Sequence, residues 1–126
     1  MLFRSYTLTG AYNAARRTIW QAQAEALSAQ DGVIASNVRG DAEDVREIAS
    51  RVVELNGRTV ALLRVEGEGD TPVVFARGNE AELDMGGLLK RAARATGGRG
   101  GGRPDFAQGA GSQALIDEAL RLIKEE

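Results

Sequence analysis

The residues best suited to chemistry lie between positions 97 and 111, where seven of fifteen are glycine. The stretch reads Gly97-Gly98-Arg99-Gly100-Gly101-Gly102-Arg103-Pro104-Asp105-Phe106-Ala107-Gln108-Gly109-Ala110-Gly111. Glycine lacks a Cβ, so its backbone N–H groups can touch a ligand and its φ can be positive. Consecutive N–H groups in such conformations form an anion-binding nest. The two arginines add bidentate phosphate binding, or stacking on a base or sugar face. Gly109-Ala110-Gly111-Ser112 leads into a helix N-terminus, which also attracts anions, with Ser112 as its candidate N-cap. A flexible linker is the ordinary reading of a glycine-rich tract. Here the tract lies between two amphipathic helices that need one core, and it carries arginine where a linker carries serine. We therefore expect an ordered binding loop, with Phe106 as its core anchor.

The charge pattern agrees. Net charge is −2, yet Gly86 to Pro104 holds five cations (Lys90, Arg91, Arg94, Arg99, Arg103) and no acid. Acids gather at Asp41 to Glu47, Glu66 to Asp70, Glu80 to Asp84 and the tail Glu125-Glu126. A basic site on an acidic domain implies focused anion binding rather than general adhesion. The sequence contains no histidine and no cysteine. That removes the commonest general base, the commonest metal ligand, the thiol nucleophile and any disulfide framework. It argues against a zinc hydrolase or a Ser-His-Asp enzyme, so no catalytic residue, metal ligand or cofactor is assigned. The lack of cysteine fits a reducing, cytoplasmic setting. No apolar run approaches the ~18 residues of a membrane span, and Met1-Leu2-Phe3-Arg4 opens no secretory signal, so no membrane contact is expected. Gly109-Ala110-Gly111-Ser112-Gln113-Ala114 matches the dinucleotide pattern GxGxxG/A only weakly, because no βαβ unit can follow it. A P-loop, GxxxxGK[ST], is absent.

The elements that position these residues follow from periodicity. The length of 126 residues suits one domain. Gly10 to Gln30 reads as a helix with Ala11, Ala15, Ile19, Ala22 and Ala26 on one stripe, suited to close packing on a helix of this chain or of a partner. Gly32 stops it. Val33 to Val38 is a plausible strand. Asp41 is a good N-cap for a helix reaching Asn56, with Val45, Ile48, Ala49, Val52 and Val53 as its buried arc. Arg58 to Glu66 is too continuously apolar for a half-exposed strand, so it is expected as a central one. Gly67 to Asp70 turns the chain into the strand Pro72 to Arg77, giving a hairpin. Leu83 to Thr96 is a helix with Met85, Leu88, Leu89, Ala92 and Thr96 on one face and Lys90, Arg91 and Arg94 on the opposite one. A last helix runs from about Ser112 to Lys124, with Leu115, Ile116, Ala119, Leu120, Leu122 and Ile123 as its core arc. The expected fold is α/β (α+β), a small mixed β-sheet sandwiched by helices. An N-terminal helical segment (1–32) would serve packing or dimerisation, and 33–126 would form the globular unit.

The run GGRGGGRPDFAQGAG strongly resembles a signature near the end of alanyl-tRNA synthetases, in the domain associated with DHH phosphoesterases. The resemblance is specific over roughly the second half of the chain and follows element order elsewhere. It implies tRNA binding, with tRNA-Ala the expected partner, and support of aminoacylation or editing by a parent ligase or alanyl-tRNA editing hydrolase. It also implies dimerisation through the helical part. The RNA-binding residues it points to are Gly97, Gly98, Arg99, Gly100, Gly101, Gly102, Arg103, Gln108 and Gly109, with Lys90, Arg91 and Arg94 as a rim. Related phosphoesterase domains usually carry a histidine in this loop, and Arg103-Pro104-Asp105 stands here instead. A substrate-binding module of a DHH-type nucleotide phosphoesterase is therefore the alternative, and a bare oligomerisation domain a third. The chain departs from the pattern where Arg99 interrupts the glycines and Ala110 replaces one. It also lacks the synthetase's ATP-binding region and its HxxxH-type editing site. Met1-Leu2-Phe3 at the start suggests either an excised piece or a natural stand-alone protein.

Overall fold

The computed structural model describes residues 2–29 and 32–125, with side chains from residue 15 onward. The expected helix end at Gln30 and the Ala11 side chain lie outside the described residues. Among the described residues four helices and five strands follow in order: α1 (Leu2–Ser28), β1 (Gly32–Val38), α2 (Ala42–Leu55), β2 (Thr59–Val65), β3 (Thr71–Arg77), α3 (Met85–Thr96), β4 (Arg99–Gly102), β5 (Phe106–Gly111) and α4 (Gln113–Glu125). The strands form one mixed sheet in the order β1-β2-β3-β5-β4. Only β1 and β2 are parallel, joined through α2, and the other pairs are antiparallel.

The sheet has a core on each face. Val60, Leu62, Val73, Phe75 and Ala107 pack under α3 and α4. Ala61, Leu63, Val65, Val74 and Ala76 pack under α2, with Trp20 and Ala24 of α1 closing the outer side. The alternation is the pleat at work, since neighbouring residues of a strand point to opposite faces. Every residue of β2 is buried, as an inner strand covered on both sides requires. That includes Arg64, which the apolar reading of this strand passes over. Its guanidinium donates to the carbonyls of Gly111 (3.1 Å), Gly67 (2.9 Å) and Gly69 (2.8 Å), tying the β2–β3 turn to the end of β5.

Two expectations need correction. The glycine tract is not a loop: it folds as the β4–β5 hairpin, with β5 paired to β3 and β4 at the sheet edge. Strand signals are carried by side chains, and glycine offers none. Here β3 supplies the template, and small residues let α3 lie on the hairpin. The second correction concerns α1. In the single chain Ala15, Ala22 and Ala26 are exposed and Ile19 is 57% exposed, so the alanine stripe does not dock on its own domain. The docked stripe is Arg16, Trp20, Ala24 and Leu27, because Trp20 buries far more apolar area than any alanine.

A polar latch holds that stripe. Asp41 caps α2 in a reciprocal capping box with Asp44. Asp44 also accepts from Arg16 Nε and from the Trp20 indole N–H, both at 2.7 Å. The guanidinium carbons of Arg16 and Arg51 lie over the Trp20 ring, 5.2 Å and 5.4 Å from its centroid. Burial pushes the Asp44 carboxyl up. The Arg16 hydrogen bond, the Asp41 backbone N–H and the indole N–H together outweigh it and bring the carboxyl from 3.8 down to about 2.

Candidate nucleic-acid interface

The hairpin is fixed at both ends. At its turn, the first N–H groups of α3, those of Met85 and Gly86, donate to the carbonyls of Pro104 (2.8 Å) and Arg103 (3.1 Å). Arg77 adds its backbone N–H to Asp105 O and its Nε to Pro104 O. At the other end Arg64 holds Gly111 O. The N-terminus of α3 is thus satisfied by the hairpin itself and is not left open for an anion.

Most glycines of the tract have an internal reason. Gly97 caps α3 with φ +81°, a conformation that favours glycine. A Cβ on Gly100 would meet Leu89 at 2.8 Å, and one on Gly98 would meet Leu115 at 2.8 Å. A Cβ on Gly109 would run into the Arg99 carbonyl, and one on Gly102 into Phe106 O at 2.7 Å. These positions let helices and strands approach closely. Gly101 differs: a Cβ there would find only the Lys90 Cε at 3.9 Å, and its φ is not positive. Nothing in the described chain requires glycine at 101.

Strand register decides which side chains share a face. Gln108 pairs with Val74, which belongs to the α2-side core, and Ala107 pairs with Phe75, which belongs to the α3-side core. Arg99 lies opposite Ala110 and Gly101 opposite Gln108. The α2 side of the hairpin therefore presents Arg99, Gly101, Gln108 and Ala110. Arg103 joins them near the C-terminal part of α2, in a depression shared with Val53, Glu54 and Phe106. Arg99 and Arg103 sit four residues apart, about 13 Å along an extended strand. Helix α2 covers β2 and β3 and leaves Gln108 and Arg99 exposed.

The five cations are not one patch. Lys90, Arg91 and Arg94 are exposed on α3, on the other side of the sheet. Lys90 comes near β4, beside Gly101. Arg91 lines a depression with Glu82 and Asp84 at the start of α3, away from the hairpin face. Arg94 stands in the last turn of α3, where a cation suits the helix dipole. Arg103 makes a loose ion pair with Asp105 at 3.5 Å, with both side chains more than half exposed. Such a pair stabilises little and is readily exchanged for a phosphate. Phe106 is half-buried against the α2-side core, as an anchor should be.

One residue of the face escapes a reading of charge runs. Arg46 projects from α2 into a cleft of about 330 Å³ that it shares with Arg99 and Gln108. In the sequence it stands among Glu43, Asp44 and Glu47, which hides it. Its one signal is its place outside the buried arc of α2. Among the described residues no cluster of His, Cys, Asp or Glu could hold a metal ion, and no helix is long and apolar enough to cross a membrane.

Known proteins bear on this geometry. The profile of the DHHA1 domain matches residues 30–126. The alanine–tRNA ligase of Anaeromyxobacter dehalogenans (strain 2CP-C) is 34% identical over 125 residues, covering 86% of this chain and 14% of the ligase. That of Thermobifida fusca (strain YX) is 45% identical over 101 residues, covering 76% of this chain and 11% of the ligase. The chain thus spans about a seventh or less of the length of these relatives. Among solved structures, the C-Ala domain from Aquifex aeolicus alanyl-tRNA synthetase shares the fold with a TM-score of 0.64 at 22% identity, over 74% of this chain and 87% of that one. RecJ from Thermus thermophilus, in complex with Mn2+, does so with a TM-score of 0.64 at 20% identity, over 90% of this chain and 18% of RecJ. With the matched segment spanning all five strands and the three helices packed between and after them, the chain belongs to the DHHA1 domain family.

Proposed function

We propose that the chain is the tRNA-binding part of an alanine–tRNA ligase or alanyl-tRNA editing protein, and that it catalyses nothing alone. RNA meets the α2 side of the β4–β5 hairpin. Arg99 and Arg103 bind phosphates there, Gln108 and the backbone from Gly97 to Gly102 and at Gly109 complete the contact, and Lys90 reaches it from the sheet edge. Arg91 and Arg94 act at longer range as a basic flank. The observation that carries this reading is Gly101. It is a glycine whose Cβ would touch only the flexible Lys90 side chain, at 3.9 Å from Cε, set between two exposed arginines at the sheet edge. A missing Cβ that the fold does not need lets a ligand approach the backbone.

The ligase relatives favour tRNA, with tRNA-Ala as the cognate species, over the substrate of a phosphoesterase. The exposed Ala15, Ile19, Ala22 and Ala26 face of α1 would receive the same helix of a second copy. The test is binding of a tRNA-Ala transcript by the chain and by Gly101→Val. Valine is a good strand residue and its Cβ would meet only the flexible end of Lys90, so the fold should persist, which circular dichroism checks. A loss of about tenfold or more supports the reading, given the energies of stacking and close contacts on RNA. Unchanged affinity with an intact fold rejects it.

A further inference from the structure

The open hairpin face does not end at the hairpin. It runs into the cleft of about 330 Å³ between α2 and β5, where the half-buried Pro72 and Ala110 form an apolar floor beside the buried Val45. Arg46 and Arg99 stand among its walls, and Gln108 beside them. No acid lines it. Among the described residues the side chains of Arg46 and Arg99 make no hydrogen bond or ion pair. Two unpaired guanidinium groups over an apolar floor match one kind of ligand, which is flat, apolar on its faces and anionic at one end. The volume lies at the small end of ligand clefts and suits a single such group rather than an extended one. The backbone of a continuous duplex presents phosphates on a convex ridge and would not fill a concave floor. An unpaired nucleotide does: its base lies on the floor or against a guanidinium plane, its phosphate meets the other guanidinium, and an amide can both donate to and accept from the base edge.

We propose that this cleft receives one unpaired nucleotide of the bound RNA, with Arg46 and Arg99 as its clamps and Gln108 as the group that reads its edge. The proposal rests on the RNA-contact reading given above. It goes further by assigning Arg46, a residue of another element, and by requiring a base that is not paired.

The intact chain is titrated with two probes, a short single-stranded RNA and a blunt-ended RNA duplex. The proteins are wild type, Arg46→Ala, Arg46→Lys, Arg103→Ala and Lys124→Ala. Arg46 is exposed on its helix, so its replacement should not disturb folding, and circular dichroism checks this. Arg46→Ala should weaken the single strand about tenfold, the range expected for losing one stacked base, and leave the duplex within about twofold. Arg46→Lys should recover little, because lysine keeps the charge and loses the plane. Equal losses on both probes, matched by Lys124→Ala, would show general charge and overturn the cleft. No loss in Arg46→Ala alongside a clear loss in Arg103→Ala overturns the cleft and spares the hairpin. No loss in either arginine variant overturns both.

Discussion

Asp44→Asn tests the latch between α1 and α2. The Asp44 carboxylate receives three donors, Arg16 Nε and Trp20 Nε1 on one oxygen and the Asp41 N–H on the other. Asparagine keeps the shape, loses the charge and turns an N–H2 group toward one donor. A carboxyl held at about 2 instead of 3.8 favours the folded state by at most about 2.4 kcal/mol at neutral pH. Asp44 sits at the rim of the core, and water screens part of this, so we expect a loss of about 1–2 kcal/mol. The folded-state value is the depressed one. The stabilisation is therefore complete above about pH 4 and disappears as pH falls through about 2. The assay is urea unfolding followed by fluorescence of Trp20, the sole tryptophan, for both proteins between pH 7 and pH 2. Comparing the pair cancels the other carboxylates. The gap should be widest at neutral pH and close in acid. Equal stability at pH 7, or a gap that stays constant down to pH 2, would refute the assignment.

Further expectations follow from single contacts. Arg64→Met should cost about 2–3 kcal/mol in urea unfolding, because three carbonyls lose a charged donor, and Arg64→Lys should restore only part of it. A methyl at Gly109 would overlap the Arg99 carbonyl, so Gly109→Ala should lower Tm markedly. Gly101→Ala should change stability by about 0.5 kcal/mol or less while weakening RNA binding. If a second copy covers the exposed α1 face, Ile19→Asp should convert a dimer to a monomer in sedimentation. A wild-type chain that sediments as a monomer at high concentration would remove that proposal.

The helices α2, α3 and α4 and strand β2 were legible because each buries a side-chain pattern: Val45, Ile48, Ala49 and Val52 at helical spacing, and an unbroken apolar β2. Asp41 as N-cap was legible for the same local reason. The hairpin was not, since the sheet pairs backbones and glycine leaves no alternation to read. The α1 stripe misled because alanine satisfies a helical period without deciding which face is buried, whereas one tryptophan with a carboxylate partner decides it. At the site, Arg99, Arg103 and Gln108 stood out by composition. Their common face depended on register with Val74 and Phe75, which no local pattern encodes. Arg46 reaches the cleft only through the way α2 lies on the sheet.

The most direct test of the central claim is the salt dependence of tRNA-Ala binding by the chain and by Arg99→Ala/Arg103→Ala, with Lys124→Ala as control. Each phosphate contact contributes about 0.7–0.9 to the slope of log affinity against log salt. Two lost contacts should therefore flatten the slope by about 1.4–1.8, while Lys124→Ala leaves it within about 0.3 of wild type. The same slope in the double variant as in wild type, or an equal drop in the control, would contradict RNA binding by the hairpin.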